Sequence, residues 1–87
     1  MFSQAIGMAA TFDTALLHQI GEITATEARA KHMAAREHGD FDIYKGLTLW
    51  APNINLFRDP RWGRGHETYG EDPFLTARLG VAFVKGM

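Results

Sequence analysis

The segment from Arg58 to Pro73 constrains the fold of this chain more than any other. Its sequence is Arg-Asp-Pro-Arg-Trp-Gly-Arg-Gly-His-Glu-Thr-Tyr-Gly-Glu-Asp-Pro. The three glycines and two prolines oppose both helix and central strand, and a loop of this length inside a compact domain is usually functional or disordered. Two large aromatic residues favour order, as do arginines that can form two-pronged pairs with carboxylates. The segment therefore predicts an ordered, functional loop.

Length and composition indicate one small globular domain with a marginal core. The chain has 87 residues, of which 46% are hydrophobic and 22% are charged, as in ordinary soluble domains. A net charge of −1 gives no sign of a nucleic-acid partner or an anionic membrane, and no apolar run approaches the ~20 residues that span a bilayer. The absence of cysteine excludes disulfides and thiolate metal sites. Residues Met1 to Phe12 lack the features of a signal peptide, and the compartment is not identified.

The first half of the chain predicts a short strand followed by a long helix. Gln4 to Thr11 is small and apolar, which favours a short buried strand. Asp13 is placed to cap a helix over Asp13 to His38, because its carboxylate can accept a backbone N–H of the first turn. Gly39 follows the last turn, as a helix terminator often does. Gly39 to Gly46 is predicted to be a polar connector.

The second half predicts a strand, the long loop and a final helix. Leu47 to Leu56 favours a buried strand, although Pro52 cannot donate to a ladder. The loop ends in Asp72 and Pro73, a helix cap followed by proline at the first helical position, and the last helix runs from Phe74. The order strand, helix, strand, loop, helix is a βαβα unit with parallel strands. Because parallel sheets are covered on both faces and need further strands, the pattern indicates part of a larger α/β domain.

One stretch resembles the N-terminal barrel domain of family 3 glycoside hydrolases, the β-glucosidase and β-xylosidase family. It consists of Trp50 to Phe57 (Trp-Ala-Pro-Asn-Ile-Asn-Leu-Phe) followed by Arg58 to Pro73. Two upstream pieces are also similar to that family, Ala9 to Asp13 and Glu27 to Ala30. The resemblance covers essentially the whole chain, so residues 1–87 are expected to be a fragment of that domain.

The resemblance implies an α/β fold, a partial (β/α)8 barrel of the TIM type. A full barrel takes about 250 residues, so this chain would hold about two βα units and would need the remaining barrel and the C-terminal domain. The loop Arg58 to Asp72 would follow a strand and precede a helix. Loops of that kind lie on the C-terminal face of a barrel, where active sites sit.

The resemblance also implies an activity, the retaining hydrolysis of β-glucosides or β-xylosides. That reaction uses a nucleophile and an acid/base, two carboxyl groups ~5–5.5 Å apart. In the family the nucleophile and the acid/base come from later segments that this sequence does not contain. A Lys-His pair that binds the sugar also lies in a later segment of the family. Lys31-His32 is a false match, because it lies within the alanine-rich helix. The isolated chain is expected to be inactive.

One functional residue carries over from the family pattern, Arg64, which by resemblance contacts sugar hydroxyls. Guanidinium donors suit the adjacent hydroxyls of a pyranose; the alternative for this residue is a purely structural ion pair. Arg58, Asp59, Arg61 and Glu67 are predicted to form an ion-pair scaffold that shapes the loop. The nearby arginines should hold the pKa values of the two carboxylates low, which does not suit a general acid.

No cofactor or metal is expected. His66-Glu67 begins like a metalloprotease helix motif, but Gly70 occupies the place of the second histidine. Gly63-x-Gly65 lacks the rest of a phosphate-binding fingerprint.

Two other functions stay open at this point. The chain could be a truncated product without a function of its own. The arginine–aromatic loop could instead bind single-stranded nucleic acid, since stacking aromatics among arginines is the chemistry required. Three arginines face four carboxylates in this loop, however, and a net charge of −1 opposes phosphate binding.

Overall fold

The computed structural model describes residues 2–39 and 46–87, and the regular structure in these two ranges is helical. Helix α1 spans Ala5–Ala9, helix α2 spans Thr14–Glu37 and helix α3 spans Pro73–Gly86. A 3₁₀ turn over Gly65–Glu67 lies within the long loop. None of the described helices combines the length and apolar character needed to cross a membrane.

The ends of α2 confirm the predicted cap and the predicted stop. The Asp13 carboxylate accepts the backbone N–H of Leu16 at 3.0 Å, which satisfies one of the donors left open in the first turn. At the other end the His38 N–H donates to the carbonyl of Ala35 at 3.1 Å. Gly39 then adopts φ +69°, the left-handed conformation that glycine provides at low cost.

The start of α3 also confirms the sequence prediction. The Asp72 carboxylate accepts the backbone N–H groups of Phe74 and Leu75, each at 3.3 Å. Pro73 occupies the first helical position, where its missing N–H costs nothing because no carbonyl of the helix would receive it. The loop is therefore tied to α3 by local chemistry.

The core lies where α2 packs on α3. Its buried hydrophobic residues are Ala5, Ala9, Leu17, Ile20, Tyr69, Leu79 and Phe83. Two glycines let the helix backbones approach closely: a Cβ on Gly21 would meet the carbonyl oxygen of Phe83, and a Cβ on Gly86 would meet that of His18. The crossing of the two helices thus depends on positions that have no side chain.

The first predicted strand is wrong. The stretch Gln4 to Thr11 instead contains α1, a helix of 5 residues. The physical reason is that alanine favours helix, whereas a strand needs a neighbour to receive its ladder hydrogen bonds. Phe12 ends the stretch with φ +52° and turns the chain into α2.

The second predicted strand and the α/β architecture are also wrong. The described residues contain no strand, so the expected partial (β/α)8 barrel of strand, helix, strand, loop and helix is not formed. Leu47 to Leu56 is irregular, and its donors go elsewhere: the Asn53 N–H bonds to the carbonyl of Glu67 at 2.9 Å. Pro52 has no N–H to offer. Most of the predicted connector Gly39 to Gly46, residues 40–45, lies outside the described residues.

Candidate functional site

The long loop closes onto the segment that precedes it. Two backbone hydrogen bonds join them, from Asn53 N–H to the Glu67 carbonyl at 2.9 Å and from Phe57 N–H to the Gly70 carbonyl at 3.0 Å. The Asn55 side-chain oxygen accepts the Leu56 N–H at 2.8 Å and Nη1 of Arg58 at 2.9 Å. Within the described residues Arg58 is therefore bound by an amide oxygen rather than by a carboxylate.

Asp59 and Arg61 form a two-pronged pair at the exposed tip of the loop. Nη2 of Arg61 donates to Oδ2 at 2.8 Å, Nε donates to Oδ1 at 3.1 Å, and the Arg61 backbone N–H also donates to Oδ1 at 2.9 Å. The hydrogen bonds from Arg61, side chain first and backbone second, lower the pKa of Asp59. The Asp59 carboxylate therefore fixes both the guanidinium and the local turn of the backbone.

Arg64 and Glu67 form a second two-pronged pair. Nη2 of Arg64 donates to Oε2 at 2.8 Å, and Nε donates to Oε1 at 3.1 Å and to Oε2 at 3.2 Å. The 3₁₀ turn brings the two residues together, with the Glu67 N–H bonded to the Arg64 carbonyl at 3.1 Å. The side-chain hydrogen bond from Arg64 lowers the pKa of Glu67, and the same bond raises the pKa of Arg64. Both groups are therefore charged at neutral pH, and Glu67 is unsuited to act as a general acid.

Gly65 allows the aromatic residues of the loop to pack. A Cβ at this position would fall on the ring of Phe57. The Phe57 ring in turn meets Trp62 edge-to-face, with centroids 6.2 Å apart and planes at 87°, an arrangement that aromatic quadrupoles favour. Trp62 is half-buried in this contact. The aromatic pair fixes the loop around Arg64, whose side chain is 64% exposed.

Thr68 and Tyr69 bury the base of the loop. The Thr68 hydroxyl donates to the Gly65 carbonyl at 2.7 Å and accepts the Gly70 N–H at 3.3 Å. Gly70 adopts φ +109°, which residues with a side chain rarely reach. Tyr69 is 1% exposed and belongs to the hydrophobic core. The exposed ion pairs are thus supported from beneath by buried residues.

The hydroxyl of Tyr69 is buried and has no hydrogen-bond partner among the residues that the structure describes, and burial raises the pKa of this tyrosine to about 12. An unfolded tyrosine ionises near pH 10. The ionisation of Tyr69 should therefore leave the free energy of unfolding unchanged below about pH 10 and should lower it as the pH rises toward 12. We expect tyrosinate absorbance in a Tyr44→Phe background to show this late ionisation.

Tyr69→Phe should not lower the free energy of unfolding at neutral pH, because it removes only an unsatisfied polar group. Chemical denaturation of the two proteins tests this expectation. A loss of about 1 kcal/mol or more would mean that the hydroxyl has a partner.

An apolar groove of about 450 Å³ lies beside the second ion pair. Its apolar walls are formed mainly by Phe2, Met8, Ile20, Leu49, Trp50 and Phe83, and Glu67 contributes to its polar edge. Trp50 is 89% exposed there. Sequence reasoning missed this groove, although the apolar run around Trp50 signals a surface that needs a cover or a ligand.

The loop offers hydrogen-bond donors and acceptors rather than a metal centre. No cluster of three or more histidine, cysteine, aspartate or glutamate side chains suited to a metal occurs in ranges 2–39 and 46–87. The exposed guanidinium of Arg64 retains N–H groups beyond those given to the Glu67 carboxylate. Such an arrangement can bind a neutral hydroxylated ligand or an anion.

Sequence reasoning also missed the role of Asn55 and the 3₁₀ turn. Asparagine side chains commonly bond to nearby backbone in turns, and Asn55 precedes the loop in the stretch Asn-Ile-Asn-Leu-Phe. The position of Asn55 just before the loop was the signal that could have identified its side-chain amide as a partner of Arg58. The turn itself has no comparable signature, because Gly-His-Glu has no helical pattern.

Comparison with known proteins finds similarity to proteins named as xylosidases. A xylan 1,4-beta-xylosidase from Xylanibacter ruminicola is 49% identical over 88 residues, which cover 99% of this chain and 10% of that protein. Beta-D-xylosidase 3 from Arabidopsis thaliana is 49% identical over 86 residues, with the same coverage of 99% and 10%. A beta-xylosidase/alpha-L-arabinofuranosidase 2 from Medicago sativa subsp. varia is 48% identical, again over 99% of this chain and 10% of that protein.

The chain thus spans about one tenth of the length of these relatives. No solved structure matches it. The family described as glycosyl hydrolase family 3 N terminal domain matches over residues 1–87. With this match across its whole length, the chain belongs to the N-terminal domain family of glycosyl hydrolase family 3.

Proposed function

We propose that this chain supplies a sugar-binding loop to a retaining β-glycosidase that acts on β-linked xylosides. The observation that carries the proposal is the Arg64 guanidinium, which is bound by Glu67 on one edge at 2.8 Å while its side chain remains 64% exposed. Three N–H groups of a guanidinium held in this way are left for a ligand. The hydroxyls of a pyranose are suitable acceptors, and Arg64 is the residue that the family pattern assigns to them.

The choice of xyloside over glucoside follows from the names of the relatives. The proteins from Xylanibacter ruminicola and Arabidopsis thaliana are both named as β-xylosidases and are both 49% identical to this chain. A β-glucoside is the alternative substrate, and the two sugars differ by a single hydroxymethyl group. That group lies away from a contact with the ring hydroxyls, so Arg64 could serve either sugar.

The proposal assigns no catalytic carboxylate to this chain. Retaining hydrolysis needs two carboxyl groups ~5–5.5 Å apart, one of which must be protonated. Asp59 and Glu67 are each committed to an arginine, and those arginines lower the pKa values of both carboxylates. The nucleophile and the acid/base would therefore come from other parts of a longer enzyme.

A hybrid enzyme tests this function. Residues 1–87 would replace the matching segment of the Xylanibacter ruminicola xylosidase, and hydrolysis of aryl β-xyloside and aryl β-glucoside would be measured beside the unaltered xylosidase. We expect the hybrid to hydrolyse the xyloside in preference to the glucoside and the purified 87-residue chain to hydrolyse neither. A folded but inactive hybrid would contradict the proposed function. Turnover by the isolated chain would contradict the absence of catalytic carboxylates.

A further inference from the structure

We propose that Glu67 is a positioning residue, which holds the guanidinium of Arg64 so that its outer edge meets two adjacent sugar hydroxyls. This inference rests on the proposed function and names the residue that would make the sugar contact specific. It concerns a side chain that the sequence predicts only as part of the loop scaffold.

The three side-chain hydrogen bonds between the pair determine which donors remain. Nε and one N–H of Nη2 are directed at the Glu67 carboxylate, at 3.1 Å and 2.8 Å. Because the guanidinium is planar, the other N–H of Nη2 and the two on Nη1 lie on the remaining edges. Nη1 and Nη2 then offer two parallel N–H groups on one outer edge. That edge matches a pair of neighbouring equatorial hydroxyls, as it would match the two oxygens of a carboxylate.

Glu67 differs from Asp59 in what its carboxylate holds. All hydrogen bonds that the Glu67 carboxylate accepts within the described residues come from Arg64. The Asp59 carboxylate also accepts the backbone N–H of Arg61 at 2.9 Å and so shapes the turn. Loss of the Glu67 carboxylate would therefore release Arg64 without removing a side-chain bond to the backbone. This difference separates a positioning role from a scaffold role.

The side chain of Glu67 is also less exposed to solvent than the side chains of the Asp59–Arg61 pair. The side chain of Glu67 is 34% exposed, that of Asp59 is 46% exposed and that of Arg61 is 89% exposed. Glu67 also borders the apolar groove lined by Trp50 and Pro52. The Glu67 carboxylate is thus partly shielded from water on its groove side, which strengthens its hydrogen bonds to the Arg64 guanidinium. The Asp59–Arg61 pair does not line that groove.

The test compares Glu67→Gln with Asp59→Asn, because the two substitutions remove the same charge from two pairs of the same chemistry in one loop. In the 87-residue chain, proton–nitrogen NMR of the arginine Nε–H groups reports whether each guanidinium is held. We expect Glu67→Gln to abolish the protected Nε–H signal of Arg64 and Asp59→Asn to abolish only that of Arg61. Persistence of the Arg64 signal in Glu67→Gln would overturn the proposal.

Kinetics in the hybrid xylosidase then test the consequence for the sugar. Glu67→Gln should lower kcat/KM for an aryl β-xyloside about tenfold, the effect of one charged hydrogen bond, and Asp59→Asn should change it less than about twofold. In an Arg64→Lys background, Glu67→Gln should cause no further loss, because a positioning residue acts only through its partner. Glu67→Asp, which keeps the charge but reaches less far, should give an intermediate value and serves if Glu67→Gln does not fold.

Equal losses from Glu67→Gln and Asp59→Asn, or a further loss from Glu67→Gln in the Arg64→Lys background, would overturn the positioning role and leave the proposed function standing. A hybrid whose activity does not respond to Arg64→Lys would contradict the sugar contact itself.

Discussion

Replacement of Gly21 by alanine should prevent α2 and α3 from packing together. The added Cβ would meet the carbonyl oxygen of Phe83, which belongs to the backbone of α3 and cannot rotate away as a side chain would. The helices must then separate, and the packing of the core that contains Leu17 and Leu79, which are both 0% exposed, would loosen. Overpacking of this kind costs about 1–3 kcal/mol. A small domain has little stability to lose, so we expect the cooperative thermal transition to disappear.

Gly7→Ala is the matched control for that experiment. Gly7 also lies within a helix, but a Cβ there would have its nearest neighbour, the Ser3 side chain, at 3.8 Å, which is ordinary contact. Alanine is favoured over glycine in helices by about 1 kcal/mol, so the control should be neutral or slightly stabilising. Gly21→Ala has the same gain in helix propensity, so a net loss of stability in that variant must exceed this gain. An unfolding midpoint of Gly21→Ala equal to that of the control would show that the helices do not cross as closely as described.

The helices could be predicted because the signals that define them are local. Asp13 and Asp72 lie within three residues of the N–H groups they accept, and Gly39 adopts its left-handed conformation in the turn that ends α2. Such interactions depend on the neighbouring sequence alone. Both boundaries of α2 and the start of α3 therefore agree with the sequence prediction to within a residue or two.

The strands could not be predicted correctly because a strand is defined by its partner. The apolar run from Leu47 to Leu56 satisfies the pattern of a buried strand, yet its Asn53 N–H bonds to the loop carbonyl of Glu67 at 2.9 Å instead of entering a ladder. Short apolar runs are ambiguous between strand and helix on pattern alone. The alanine-containing stretch from Gln4 to Thr11 has the same ambiguity; it was predicted to be a strand and contains a helix.

The charged residues of the loop can be recognised in the sequence, but the way in which they pair cannot. Three arginines and four carboxylates in the loop allow many combinations, and the sequence does not select among them. The 3₁₀ turn selects Glu67 for Arg64, and the tight turn at Asp59 selects Arg61. Arg58 turns toward the Asn55 amide at 2.9 Å. These choices depend on backbone geometry that the glycines permit, and glycine-rich segments carry little pattern from which to infer it.

Arg64→Ala in the hybrid xylosidase should lower kcat/KM for an aryl β-xyloside at least about 100-fold. Two N–H groups that would bind adjacent hydroxyls are lost, and each charged hydrogen bond contributes about 1.5–3 kcal/mol. The substitution also leaves Glu67 beside the groove without its partner, so the pKa of that carboxylate should rise from its lowered value toward the ordinary range. Steady-state kinetics measure the first effect, and NMR titration of the Glu67 carboxyl carbon in the 87-residue chain measures the second.

Arg61→Ala is the control for Arg64→Ala, since it removes the same side chain from a pair of the same kind at a position that is 89% exposed. We expect it to change kcat/KM less than about twofold, as exposed ion pairs contribute little. The comparison also separates a sugar contact from a structural ion pair. If both arginines stabilise only the loop, the two substitutions should lower the unfolding midpoint and the activity together. If Arg64 binds the sugar, activity falls in Arg64→Ala even where the unfolding midpoints of the two variants coincide. Equal activities in the two variants would therefore leave Arg64 with a structural role alone.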